Sequence, residues 1–228
     1  MAEQVRAIRT RQTILMSAAK VFESRGYQAA TISEILTAAG VTKGALYFHF
    51  QSKDELAQGV LSEQDQRIVV PERASKIQEM ADTVLLHAHR LQVDPLVRAG
   101  VRLSMDQQPG LDRSGPFLRW GEISTEMITK AQAQGELLPH VVPAETADVI
   151  VGAFAGIQSM SQAVSDYADL PGRVSALLRH LLPSVTMPAV LASLDLSDTR
   201  GADVYAEAVK ILEAQDAEPD AGIKTPTA

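Results

Sequence analysis

An all-α fold is predicted by three features of this chain. Apolar residues recur at helical spacing through most segments, and the alternation that marks strands is absent. Prolines at 71, 95, 116, 143, 171 and 188 stand between the apolar stripes rather than inside them. With 228 residues, 46% of them hydrophobic, the chain can bury the cores of two helical domains. The expected division is a helix-turn-helix domain over residues 1–53, a larger helical domain over 54–214, and a disordered tail over 215–228.

The first helix is expected over residues 8–25, where Ile8, Ile14, Leu15, Ala18, Ala19, Val21 and Phe22 form a stripe that Gly26 ends. Thr31 opens the second helix. With Glu34 three residues later it forms a T-x-x-E capping box, in which each side chain satisfies the other's free backbone N–H. Ile32, Ile35, Leu36 and Ala39 are its inner face, and Gly40 stops it because glycine enters the left-handed region cheaply. Thr42 caps a third helix, Lys43 to His49, too short to persist alone and therefore held by Leu46, Phe48 and Phe50. A second capping box, Ser52 to Glu55, opens a linker helix running to Val70, with Leu56, Val60 and Leu61 docking back.

Two helices joined by a tight glycine turn are the layout of a helix-turn-helix. The free face of Lys43 to His49 suits a major groove. Lys43 can donate to guanine O6 and N7, Ala45 or the Thr42 methyl can touch a thymine methyl, and Tyr47 can reach a phosphate, while Gly44 leaves room for the backbone to approach. The full set of candidate contacts to double-stranded operator DNA is Arg6, Arg9, Thr31, Ser33, Thr42, Lys43, Gly44, Ala45, Tyr47, His49 and Lys53. Arg6, Arg9 and Arg11 would form an N-terminal arm beside the duplex. Charge is distributed accordingly: the chain carries −7 overall, yet residues 1–53 hold seven bases against three acids, a +4 head on a −11 body.

These pieces resemble the tetracycline-repressor (TetR) family, whose recognition helix follows V-[ST]-x-G-x-[LI]-Y-x-[HY]-F and is succeeded by a K-[DE]-x-L helix. Here they read VTKGALYFHF and KDEL, and the resemblance covers residues 8–62. It implies a dimeric regulator that reads a symmetric operator with two heads.

Beyond residue 70 the expected helices are Ser75 to Gln92, Pro95 to Asp106, Phe117 to Gln134, Ala144 to Tyr167, Gly172 to Leu182, Ala189 to Leu194 and Ala202 to Ala214, with one longer loop from Gln107 to Gly115. The Ala144 to Tyr167 helix is rich in small residues. Gly152, Ala153, Ala155, Gly156 and Ser159 let another helix approach closely, so this stripe is either internal core or a two-fold seam. The family resemblance favours a seam, with Gly156, Ser159, Val174, Leu177, Leu178 and Leu181 as the homodimer interface. The opposite face, Ile150, Phe154, Ile157, Gln158 and Ser161, has the composition of a ligand pocket, apolar with isolated polar groups. Trp120, the one tryptophan, offers an apolar wall and one N–H donor. Gln64, Leu85, Leu86 and His89 are expected to face the same space.

A wider resemblance joins RAIRTRQTIL, GYQAATISEIL, VTKGALYFHFQSK, RAGVRLSMDQQ, GPFLRW and GAFAGIQ to the receptors for γ-butyrolactone autoregulators of streptomycetes. It implies that Trp120 walls a pocket for a small lactone-type signal, that Gln64 matches a linker glutamine, and that the ligand releases the repressor near antibiotic genes. The alternative is a TetR-type sensor of drugs or metabolites controlling an efflux gene.

Other classes fit poorly. There is no cysteine, and no G-x-S-x-G, G-x-x-x-x-G-K or H-E-x-x-H motif, so an enzyme is not expected. His87 and His89, two apart, point to different helix faces and cannot share a metal. No cofactor, no metal and no membrane partner is expected. The absent cysteine and the lack of a signal peptide or long apolar run suit the cytoplasm.

Overall fold

The computed structural model describes residues 2–66, 70–105 and 114–217. Every regular element within them is helical: α1 (Ala2–Ala29), α2 (Ile32–Ala39), α3 (Lys43–His49), α4 (Lys53–Gln66), α5 (Lys76–Val93), α6 (Pro95–Met105), α7 (Ser114–Ala133), α8 (Pro143–Ser165), α9 (Leu170–Leu181), α10 (Pro188–Leu191) and α11 (Arg200–Ala217). An isolated antiparallel bridge joins Leu137 to Thr186. Most of the expected 107–115 loop, and residues 218–228 of the expected tail, lie outside the described residues; residues 215–217 continue α11.

Local chemistry explains the boundaries. The α1 helix kinks at Gly26 (φ 73°, ψ 169°) and continues to Ala29 instead of ending there. Asp166 and Tyr167 both take positive φ, which stops α8 two residues before the expected Tyr167. Pro171 lies within the first turn of α9, where a missing N–H is harmless, so that helix starts ahead of Gly172.

Two apolar cores organise the chain. The head core joins Ile14, Leu15 and Phe22 of α1 with Ile35, Leu46 and Phe50, then with Leu56 and Val60 of α4 and Leu96, Ala99 and Leu103 of α6. It therefore extends well past residue 53. The body core gathers Ile77, Met80, Leu85 and Leu91 of α5 around Val97, Ile128, Ile150, Leu170, Val174 and Leu178. The α6 helix serves both, turning Val97 to the body and Leu96, Ala99 and Leu103 to the head. Two expectations for the head fail here: Ile8 is exposed, and Phe48 is 79% exposed rather than a packing residue. Leu46 and Phe50 alone hold α3, four residues apart on one helical side.

Polar ties fix the remaining elements. Asp82, fully buried on α5, accepts from Arg73 Nε at 2.7 Å, from Arg200 Nε and Nη2 at 2.8 and 2.7 Å, and from Gln78 at 2.7 Å. This carboxylate clamps the segment before α5 and the start of α11. Gly201 permits the approach: a Cβ there would lie 2.3 Å from the Leu85 carbonyl oxygen. Arg98 of α6 pairs with Glu23 of α1, and Arg102 donates to the Glu23 carbonyl. Arg98 also donates to the Gln92 carbonyl at 2.9 Å, so one guanidinium joins head to body.

Candidate functional site: a helix-turn-helix face and an internal cavity

The helix-turn-helix is assembled by its caps. Glu34 N–H donates to Thr31 Oγ1 (3.2 Å), Thr31 N–H donates to the Glu34 carboxylate (3.0 Å), and Gly40 ends α2 at φ 63°. The Thr31 hydroxyl also donates to Glu34 (2.9 Å), and these bonds hold the Glu34 pKa below the usual carboxylate range. The Thr42 hydroxyl accepts from Ala45 N–H at 3.3 Å and starts α3. In the second capping box Glu55 N–H donates to Ser52 (3.0 Å), while the Glu55 carboxylate reaches Gln51 N–H rather than that of Ser52 (2.6 Å).

The outer side of α3 presents Thr42, Lys43, Gly44 and Tyr47, with Ala45 and His49 half-buried. The Lys43 ammonium lies 5.7 Å from the centre of the Tyr47 ring, so the cation and the phenol share one patch. Ser33 is exposed on α2. Arg6 and Arg9 are exposed too, but on the regular helix α1 rather than on a separate arm. Arg11 sits over the Phe50 ring at 5.1 Å. Lys53 is turned to the head itself: it donates to the Gln28 carbonyl (3.2 Å) and stacks on Tyr27 (4.5 Å). The Tyr27 phenol donates to Asp54, and burial plus that carboxylate raise its pKa to about 12.

In the body, α5, α6, α7 and α8 line a partly open cavity of about 70 Å³. Trp120, Ile150, Phe154 and Gln158 line it as expected from sequence. Leu85, Leu86, His89, Ile157 and Ser161 do not. Leu85 and Leu86 are buried elsewhere on α5, and His89 faces Tyr205 of α11, ring centres 5.2 Å apart. Ile157 packs on the body core. The Ser161 hydroxyl, fully buried, is spent on Asp169 at 2.5 Å. Gln64 lies on α4, with its side chain outside the described residues.

The α5 wall is instead Val84 and His87, the adjacent helical face. The His87 ring lies 4.9 Å from Trp120 and 5.3 Å from Phe154. Burial, with Arg90 adding, lowers the His87 pKa to about 3, so the imidazole is neutral at ordinary pH. Its Nδ1 and the Oε1 of Gln158 are buried without partners. Val101, Ser104 and Met105 bring α6 to the cavity, and among the described residues no Asp, Glu, Lys or Arg lines it. His87 and His89 thus occupy different faces, as their spacing requires. Among the described residues no group of three His, Asp or Glu is placed to hold a metal ion, and no helix is long and apolar enough to cross a membrane.

The expected seam divides differently. Val174 and Leu178 are fully buried in the chain's own core, which removes them from any interface. Leu181 packs partly on the same core and Leu177 is half-buried. Gly156 and Ser159 are exposed, and no atom lies within 4 Å of a Cβ built on Gly152 or Gly156. Val149, Met160 and Val164 extend that bare side of α8.

Known proteins share both halves of this arrangement. The family "Bacterial regulatory proteins, tetR family" matches residues 14–60, the head with its helix-turn-helix. The A-factor receptor protein of Streptomyces griseus is 41% identical over 194 residues, covering 84% of this chain and 69% of that protein. The chain belongs to the TetR family. Its TetR body is matched by the crystal structure of TylP, a TetR regulator from Streptomyces fradiae, with 45% identity, a TM-score of 0.80, and coverage of 91% of this chain and 93% of that one. An ArpA-like γ-butyrolactone receptor superposes with a TM-score of 0.63 at 28% identity, over 89% of this chain and 99% of that one. As a TetR-family transcriptional regulator, the chain binds DNA with its helix-turn-helix.

Proposed function

We propose that this regulator is a repressor of secondary-metabolism genes, released from its operator when a neutral γ-butyrolactone-type molecule enters the cavity. The observation that carries this reading is the double duty of α6. Val101, Ser104 and Met105 line the cavity, while Leu96, Ala99 and Leu103 on the same helix are packed into the head core. Arg98 and Arg102 fasten it to Glu23 of α1. Similarity to the A-factor receptor of S. griseus and to the ArpA-like γ-butyrolactone receptor supports the ligand class.

At about 70 Å³ the cavity is well below the roughly 300–1,000 Å³ of pockets that hold drug-sized ligands. A lactone must therefore move its walls. Trp120, Phe154 and Ile150 are backed by other helices, whereas Met105 and Phe117, both partly exposed, stand where α6 ends and α7 begins. Displacing α6 shifts the packing of Leu96, Ala99 and Leu103 against α1 and α4, and with it the orientation of the head. A cationic drug is a poor occupant, because among the described residues no carboxylate lines the space.

The homodimer is proposed to form through the bare side of α8, with Val149, Gly152, Gly156, Met160 and Val164 meeting their own copies. Leu177 and Leu181 remain at its margin. Val149→Glu with Val164→Glu should yield a monomer by sedimentation at micromolar concentration, and an unchanged dimer would place the seam elsewhere. The functional reading is tested by selecting an operator from a random duplex pool and titrating lactones into the complex. Loss of DNA binding supports release, whereas saturation of the protein with lactone at unchanged operator affinity contradicts it.

A further inference from the structure

Buried polar atoms in proteins are almost always paired, and those left unpaired call for an explanation. Among the described residues three buried side-chain polar atoms lack a partner: His87 Nδ1, Gln158 Oε1 and Thr186 Oγ1. Two of the three belong to residues lining the cavity, and both of those residues are at least nine-tenths buried. They share that cavity and are linked through Phe154. Gln158 stands one turn along α8 from Phe154, whose ring packs on His87. Ser104, by contrast, lines the cavity with its hydroxyl already donated to the Gly100 carbonyl at 2.9 Å.

The unmet chemistry is specific. An amide oxygen only accepts, so Gln158 Oε1 needs a donor. A neutral imidazole carries one N–H and one acceptor nitrogen; with the proton on Nδ1, His87 needs an acceptor. A single hydroxyl supplies both. A ketone or ether oxygen could satisfy His87 and would leave Gln158 unmet, while an ammonium or carboxylate would bring a charge into a space that no charged side chain lines among the described residues. Resting on the reading of this cavity as the ligand site, we propose that His87 and Gln158 form a hydroxyl receptor. The ligand's O–H donates to Gln158 Oε1 and its oxygen accepts from His87 Nδ1–H. The rest of the molecule lies against Trp120, Phe154 and Ile150. The signal is therefore a neutral, largely apolar molecule selected by a hydroxyl group, and the pair sets specificity apart from the lactone ring.

Trp120 reports on the site directly, being the one tryptophan in the chain and 4.9 Å from His87. The purified full-length protein is titrated, by Trp120 emission, with two matched pairs: 1-hexanol against methyl pentyl ether, and an alkyl γ-butyrolactone with a side-chain hydroxyl against the same lactone without it. The expected result is roughly tenfold tighter binding of the hydroxyl member of each pair, the size of one buried group left unpaired. In Gln158→Leu that preference should fall below about twofold, with no loss of melting temperature, because an unpaired buried oxygen is replaced by a methyl group of similar volume. His87→Phe should reduce it as well. No preference in either pair, no binding of any probe, or a preference unchanged in both variants would overturn the proposal. A hydroxyl preference among the hexyl probes with no lactone bound would keep the receptor and remove the lactone reading. Lactone binding indifferent to the hydroxyl would do the reverse.

Discussion

The head carries its candidate DNA contacts on the outside of a seven-residue helix, whereas the body's candidate ligand contacts line a cavity between helices, one of which, α5, is buried round most of its circumference. In the head, a packed side is opposed by a free one, so whatever the core does not need is available to DNA. In the body, α5 is buried from Ile77 to Leu91 with few gaps, and core, cavity and the contact with α11 each take a different face of it. The first arrangement tolerates surface change and reports it as altered affinity. The second makes every change a question of packing and charge.

The largest expected consequence of that contrast is on stability. Asp82→Ala removes the buried carboxylate that Arg73 and Arg200 share, leaving Glu207 to the first and Asp195 and Glu207 to the second, and should cost about 3 kcal/mol in denaturant unfolding. The head's Arg25–Glu34 pair, 3.6 Å apart and largely exposed, offers the comparison. Arg25→Ala should change stability by less than ~1 kcal/mol. Similar losses for the two variants would break the contrast.

Next is Lys43→Ala, expected to weaken operator binding by roughly 1–3 kcal/mol and to relax sequence preference, with the melting curve nearly unchanged because the side chain is exposed. Fluorescence anisotropy on operator and on scrambled duplex checks both parts. A uniform loss on both sequences would move Lys43 from base edges to phosphate.

A pH effect confined to the body is absent near neutrality and grows only on acidification. The His87 pKa is about 3 in the folded chain against about 6.5 in the unfolded one. As pH falls through 6.5 the unfolded chain takes up a proton that the folded chain refuses, so unfolding is favoured. Stability present above pH 6.5 is therefore lost progressively toward pH 3. His87→Phe should flatten the stability curve relative to the parent between those limits. Trp120 emission from the folded parent should stay level from pH 8 to pH 5, since the neighbouring imidazole remains neutral.

How much of this can be read from the sequence follows the same division. Capping residues act within four positions, so Thr31, Glu34, Gly40 and Thr42 announce the helix-turn-helix, and the structure has all four bonds or conformations. Phe48 misleads because aromatic character says nothing about direction: α3 is too short to have a second buried side, and Leu46 with Phe50 already fill the first. Ile150, Phe154 and Gln158 are legible because α8 has one polar-spotted face and one small-residue face, whereas Trp120 on α7 is placed by the family resemblance, since a lone tryptophan reads equally well as core. On α5 nearly every position is apolar or buried, so periodicity gives no direction and points to Leu85, Leu86 and His89 rather than Val84 and His87. Val174 and Leu178 look like seam residues because a leucine stripe reads the same whether its partner is its own core or a second copy. Nothing in α6 advertises that one helix belongs to both cores. That depends on where two domains meet, which local pattern does not encode.

Coupling of the cavity to the helix-turn-helix through the body is tested most directly by reciprocity. If a hydroxylated γ-butyrolactone lowers operator affinity by some factor, operator DNA must lower lactone affinity by the same factor, with typical couplings of about 1–3 kcal/mol. Lactone dissociation constants are measured by calorimetry on the free regulator and on its operator complex, for the parent and for Trp120→Ala. Coupling requires weaker lactone binding in the parent's complex, by the factor found for DNA, and a Trp120→Ala protein that holds operator normally but is no longer released. Equal lactone affinity with and without operator would contradict it.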